Sequence, residues 1–311
     1  MSETSEVPAR KTVRTGLIFA VASYLLWGFL PLYFIVLQPA SAFEIVAWRI
    51  VFSLGFCAIL VTSTRSWSKI VATARQPKLL LTMGLAAFFI YINWQVYVYG
   101  ATSGRVIETS LGYFINPIVT VLLGVILLRE RLRTMQWIAV AISAVAVLVI
   151  ALNYGAFPWI ALTLAFSFGI YGLIKKRIGP RVDALSGLVI ETTWLVPIAV
   201  AQLIAVSVNL GLTFGSAGGV HALLMVLVGV ATAIPLLFFA AASRRLPLVY
   251  MGLVQYITPL LQFAIGALLL HEAMPAPRLL GFALVWLALI VLSIDLLLAG
   301  RAGRRAAPAL A

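Results

Sequence analysis

Leu111-Gly-Tyr-Phe-Ile-Asn-Pro-Ile-Val-Thr-Val-Leu-Leu-Gly-Val-Ile-Leu-Leu-Arg-Glu130 returns 142 residues later as Leu253-Val-Gln-Tyr-Ile-Thr-Pro-Leu-Leu-Gln-Phe-Ala-Ile-Gly-Ala-Leu-Leu-Leu-His-Glu272. At that offset Leu111, Ile115, Pro117, Gly124, Leu127, Leu128 and Glu130 fall on Leu253, Ile257, Pro259, Gly266, Leu269, Leu270 and Glu272. Leucine and isoleucine coincide cheaply in apolar sequence. Proline, glycine and glutamate at fixed spacing do not. A second echo sets Ser23, Trp27 and Gly28 against Ser167, Tyr171 and Gly172, at an offset of 144. The chain thus reads as a duplication, with units at 1–152 and 153–311.

Each copy of the motif is long and apolar enough to cross a bilayer, and so is most of the chain. Hydrophobic residues make up 63% and charged residues 10% of the 311, whereas a soluble domain is about half apolar and about a quarter charged. A soluble protein of this size lacks the polar side chains to cover such a surface, and so apolar a chain is not disordered either. Ten spans can be marked, at 15–37, 43–62, 79–99, 106–128, 134–152, 157–174, 184–206, 220–242, 248–270 and 279–298. The opening MSETSEVPAR lacks the layout of a cleavable signal, so the first span is expected to be retained.

The net charge of +13 would suggest nucleic acid in a soluble protein; here its distribution gives a different answer. With ten alternating spans and a cytoplasmic N-terminus, nineteen of the 22 basic residues lie on the cytoplasmic side. Arg105 and Arg278 fall outside, and Arg49 lies within a span. A span count wrong by one would scramble that split, so the charge reports orientation, with both termini inside. The expected fold is an all-α integral membrane protein of ten transmembrane helices, arranged as two five-helix repeats. Because five is odd, the second repeat is inverted, an architecture common among secondary transporters.

The single Cys57 excludes an intrachain disulfide, and His221 and His271 sit at separate span ends, so no metal or other cofactor is expected. No phosphate-cradling loop, hydrolase triad or carboxylate pair is present. A membrane enzyme would need acids or histidines gathered at one face, and a receptor or scaffold would need large loops. Within the cytoplasmic loop 63–78, Trp67, Ile70, Val71 and Ala74 have helical spacing, which fits a short helix on the inner leaflet or a solvated linker.

Ionisable residues inside a bilayer usually face a cavity or a partner. Arg49 and Glu191 stand at the 142-residue offset, opposite in charge and equivalent in depth. Each is a candidate for a charged substrate group, a gate or a local ion pair, and for Arg49 the obvious partner is Glu44. Glu108 and Glu44 open their spans at shallow depth, where interfacial solvation competes with a site role. Asp295 is expected to meet the basic tail.

In the third span, Tyr91-Ile-Asn-Trp-Gln-Val-Tyr-Val-Tyr99 sets Asn93 above Tyr97 and Gln95 above Tyr99. Asn93, Trp94 and Tyr97 therefore line a cavity or belong to an interfacial belt. Tyr113 and Asn116 beside Pro117, with Gln255, Tyr256, Thr258 and Gln262 beside Pro259, mark prolines with polar neighbours at matching depths. Such kinks point to a central site or serve packing.

Glu108-Thr-Ser-Leu-Gly-Tyr-Phe-Ile-Asn-Pro-Ile-Val119, Leu128-Arg-Glu-Arg131, Met135-Gln-Trp137, Ser23-Tyr-Leu-Leu-Trp-Gly28, Leu162-Thr-Leu-Ala-Phe-Ser-Phe-Gly-Ile-Tyr-Gly172 and Ile190-Glu-Thr-Thr-Trp-Leu-Val-Pro197 resemble the RarD group of EamA-domain drug/metabolite transporters. The resemblance covers about residues 12 to 298. It implies ten helices in two inverted units and an inner-membrane permease, and it brings no catalytic set. The expected activity is secondary-active transport, without an enzymatic step, exporting a small organic solute by alternating access. The expected partners are that solute, the bilayer and protons coupled through Glu191 or Glu108, with no nucleic acid; the oligomeric state stays open.

Overall fold

The structure, a computed structural model, describes residues 6–128, 132–153, 157–178, 181–243, 245–246, 251 and 254–306. Arg129, Glu130, Arg131, Arg244 and Leu253, all used in the charge count or the repeat, lie outside them, as does the start of the expected span 248–270. The described residues hold eleven helices and no strand. These are α1 Glu6–Val36, α2 Ala42–Ser63, α3 Trp67–Ala74, α4 Pro77–Thr102, α5 Val106–Leu128, α6 Thr134–Asn153, α7 Trp159–Ile178, α8 Ala184–Asn209, α9 Gly219–Ser243, α10 Ile257–Ala264 and α11 Ala276–Ala306.

Seven stretches are long and apolar enough to cross a membrane: Val13–Val36, Ala42–Ser63, Pro77–Thr102, Val106–Gly124, Ala184–Asn209, Gly219–Ala242 and Ala276–Asp295. Thr134–Ile150, Trp159–Lys175 and Ile257–Leu269 are shorter apolar helices. Large apolar side chains such as Ile59, Leu152, Val208 and Val220 point outward from the bundle, as a surface solvated by acyl chains requires. In the loop 63–78, α3 forms where helical spacing predicts it, with Ile70 buried and Trp67 and Val71 exposed.

Local chemistry sets the helix ends. Ser41 caps α2 by accepting the Glu44 N–H at 3.2 Å, and Asp183 caps α8 by accepting the Ser186 N–H at 3.1 Å. Pro77 opens α4, where its missing N–H costs nothing. The paired prolines of the repeat are used differently. Pro117 sits inside α5, whereas Pro259 is the third residue of α10. A proline ring collides with the carbonyl four residues earlier, here that of Gln255. Gln255 and Tyr256 accordingly form a turn before α10 begins. Ile265–Leu269 then continue α10 as one π-helical turn.

The closest neighbours are α6 with α11, α5 with α7, α2 with α8 and α9, α4 with α7, and α1 with α9 and α10. Small residues permit the approach. A Cβ on Gly229 of α9 would collide with the backbone of Phe52 in α2, and one on Gly112 of α5 would stand 2.7 Å from the Ala161 carbonyl of α7. One apolar cluster joins α1, α2, α4, α8 and α9, and another joins α5, α6, α7 and α11. The candidate site lies between them.

Candidate functional site

At the meeting of α1, α2, α4, α5, α7 and α10 the polar side chains turn inward around a cavity of about 80 Å³. Arg49, Asn93, Trp94, Tyr97, Tyr113, Asn116 and Gln255 all line it. The spacing of three and four residues along α4 puts Asn93, Trp94 and Tyr97 on one helix face, and the same spacing pairs Tyr113 with Asn116 on α5.

A hydrogen-bond lattice fixes these groups. Tyr113 donates its hydroxyl to Asn93 Oδ1 at 3.1 Å. Asn93 Nδ2 donates to the Leu164 carbonyl at 3.1 Å and to Ser167 Oγ at 3.2 Å. Beside the first proline, Asn116 Nδ2 donates to the Ala165 carbonyl at 3.0 Å; beside the second, Thr258 Oγ1 donates to the Tyr24 carbonyl at 2.7 Å. Gln262 Nε2 donates to the Tyr97 hydroxyl at 2.9 Å and to the Trp27 carbonyl at 3.2 Å. Buried amides and hydroxyls so held keep one rotamer and present a defined wall.

Arg49 is the exception. Its side chain is buried, with Cζ 4.3 Å from the centre of the Trp94 ring and 5.6 Å from that of Phe34. Neither Nε nor Nη1 has a hydrogen-bond partner among the described residues, and no carboxylate lines the cavity. The partner expected from sequence, Glu44, is engaged elsewhere. It accepts the N–H of Thr213 at 2.9 Å, the N–H of Phe214 at 2.9 Å and the Thr213 hydroxyl at 2.9 Å. Residues five apart on a helix point in widely different directions, so the expected pair could not close.

The other candidates lie away from the cavity. Glu191 is buried beneath Lys175, whose Nζ lies 2.6 Å from it, and accepts the Tyr171 hydroxyl at 3.2 Å. Glu191 thus has a local ion-pair partner, one of the readings open to it from sequence. Glu108 accepts the Ile160 N–H at 3.2 Å in a separate cleft, shared with Arg105, Glu272 and Arg278. Tyr256 packs against the cluster of α5, α6, α7 and α11. Asp295, expected against the basic tail, is held by Arg133 at 2.5 Å. Tyr24, Trp27 and Phe168 line the cavity but were not singled out as site residues from sequence. Gln262, marked from sequence beside Pro259, lines it too.

A larger crevice of about 460 Å³ lies between α1 and α9, walled by apolar residues such as Leu26, Phe29 and Ile234. It offers almost no polar contact, so the site chemistry belongs to the smaller cavity. Among the described residues no group of three His, Cys, Asp or Glu is placed to hold a metal ion.

Comparison with known proteins adds three kinds of match. The model of the EamA-like transporter family matches residues 14–152. Protein RarD of Streptomyces exfoliatus is 44% identical over 296 residues, 95% of this chain and 93% of that protein. Protein RarD of Escherichia coli (strain K12) is 38% identical over 92% of this chain and 96% of its own, and the uncharacterized transporter YojE of Bacillus subtilis (strain 168) is 38% identical over 91% and 94%. A solved structure titled as the crystal structure of a protein superposes with a TM-score of 0.58 at 17% identity, covering 90% of this chain and 97% of that one, a likeness of fold alone.

Proposed function

Because the chain belongs to the EamA-like transporter family, as a RarD-type, multi-pass protein of the bacterial inner membrane, we propose that it is a secondary-active transporter of the drug/metabolite type that exports a small organic solute by alternating access. The observation that carries this is the aromatic and polar cavity around Arg49, built from helices of both halves of the chain. At about 80 Å³ the cavity holds a few waters and is well below the roughly 300–1,000 Å³ of a drug-sized site. Solute entry then requires the surrounding helices to part.

Two five-span units, 1–152 and 153–311, give that motion a hinge. Exchange α1, α2, α4, α5 and α6 for α7, α8, α9, α10 and α11, and the close pairs α5 with α7, α4 with α7 and α2 with α9 become α10 with α1, α9 with α1 and α8 with α4, which are also neighbours. The paired clamps of Asn116 on α7 and Thr258 on α1 follow the same exchange. These correspondences support an inverted repeat of ten spans with both termini cytoplasmic. In that orientation Glu44, Glu108 and Glu272 each bond backbone of the opposite unit on the outer side, as latches on an outward gate. Protons are the coupling ion in this scheme, through Glu191 or Glu108.

Flux decides the matter. The purified protein in sealed vesicles, given a panel of small organic solutes and an imposed pH gradient, is expected to move at least one solute faster than protein-free vesicles do. Equal flux across the whole panel would remove the transport reading.

A further inference from the structure

We infer that the cavity binds an organic anion: a solute whose single negative group, of carboxylate type, pairs with Arg49 while its apolar body lies among Trp94, Tyr97, Tyr113 and Phe168. The inference rests on the transport reading for its biological role and on the geometry for its chemistry. An unpaired charge within a membrane protein is costly and is retained where it meets a partner or a pathway. Arg49 is 3% exposed, and two of its three guanidinium nitrogens, Nε and Nη1, lack a hydrogen-bond partner among the described residues. The ion pairs formed among those residues, Arg133 with Asp295 and Lys175 with Glu191, both lie elsewhere. The titratable groups near Arg49 are the phenols of Tyr97 and Tyr113.

A guanidinium is a planar fork suited to two parallel bonds with a carboxylate. The Trp94 ring beneath it holds that plane by a cation–π contact, and each of the two fork edges, Nε with Nη2 and Nη1 with Nη2, carries one nitrogen without a partner among the described residues. In the same cavity lining, Gln262 Oε1 is also without a partner among the described residues and is an acceptor for a solute N–H or O–H. With no acid among the described residues that line the cavity, a cationic solute meets repulsion and no counter-charge. The ligand class is set by that asymmetry.

Three matched probes test it on the purified full-length protein: benzoate, benzamide and benzylamine, which share a ring and differ in charge. Benzoate is expected to raise the thermal unfolding midpoint in a saturable way, with benzamide and benzylamine at least roughly tenfold weaker. Arg49→Met should abolish the benzoate response. Arg49→Lys keeps the charge without the fork and should weaken benzoate by roughly tenfold, so the comparison survives if Arg49→Met fails to fold. No benzoate response in the wild type, an equal response to benzamide, or an undiminished response in either variant overturns the inference. The vesicle assay separates the two claims. Flux of neutral solutes without anion binding would sink the anion site alone, and anion binding without any flux would sink transport alone.

Discussion

The carboxylate of Glu272 accepts the N–H of Ile107 at 2.9 Å and that of Val106 at 2.6 Å, so the loop after α10 caps the start of α5. Ile107 and Glu272 are 165 residues apart in sequence, and the bond ties their segments together at one end of the bundle. The first-turn N–H groups of a helix have no partner within it, and a carboxylate is the preferred acceptor there.

Removing this tie should be measurable. Glu272→Ala is expected to lower stability by about 1 kcal/mol, the usual worth of a lost cap, as read by thermal unfolding in detergent. Burial raises the Glu272 carboxyl above its ordinary value, against the opposing pull of the Ile107 and Val106 N–H bonds and the Arg278 charge. A carboxyl raised in the folded state binds its proton more tightly than the unfolded chain does, so its contribution falls as pH rises through that interval. Glu272→Gln cannot titrate. The wild type should therefore lose stability relative to Glu272→Gln as pH climbs from just above the ordinary glutamate value; a pH-independent difference would contradict the assignment.

Lys175 and Glu191 make an asymmetric pair. The Glu191 side chain is 4% exposed and that of Lys175 31%. Lys175→Met strands a buried carboxylate with only the Tyr171 hydroxyl, and about 3–5 kcal/mol of destabilisation is expected. Glu191→Gln leaves an ammonium that reaches the surface along its flexible stem, and should cost clearly less. The double variant should recover most of the Lys175→Met loss. Unfolding midpoints of the three variants check the order, and equal losses for the two single changes would show that burial does not set the energetics.

Periodicity and charge made the helices legible because a bilayer punishes any other backbone arrangement. The same logic reached Asn93, Trp94, Tyr97, Tyr113 and Asn116, which share helix faces and line one cavity. It failed where direction around a helix, or the fate of a partner, decides the outcome. Glu44 looked like the counter-charge of Arg49 by proximity along the chain, yet it serves Thr213 and Phe214, more than 160 residues away. For Glu191 substrate contact, gate and local ion pair all stood open in the sequence, and it is Lys175 on α7 that holds it. Tyr24 enters the wall through the crossing of α1 and α10, a tertiary fact with no local signature.

Two helical glycines should respond in opposite ways to the same change. A Cβ at Gly229 meets the Phe52 backbone, whereas one at Gly55 meets nothing within 4 Å. Gly229→Ala must push α9 from α2 and is expected to cost about 1–3 kcal/mol. Gly55→Ala removes conformational freedom from the unfolded chain at no steric cost, and should stabilise by about 0.5–1 kcal/mol. Paired unfolding curves test the close approach, which would be refuted by equal effects at the two sites.

The proposed orientation can be tested by chemistry at single thiols. Cys57 is buried, and Cys57→Ala gives a background free of cysteine. Ser68, Ser103 and Ser216 are exposed in α3 and in the loops after α4 and α8, and each can carry one cysteine. With both termini inside, Ser103→Cys and Ser216→Cys face outward and Ser68→Cys faces the cytoplasm among Arg65, Lys69, Arg75 and Lys78. A membrane-impermeant maleimide should therefore label the first two on intact cells and the third only after permeabilisation. Ser103 and Ser216 belong to different units, so their joint labelling tests the odd number of spans that inverts the second. Labelling of Ser103→Cys and Ser68→Cys from the same side would break the span count in the first unit. Protection of Ser216→Cys alone would break it between Ser103 and Ser216.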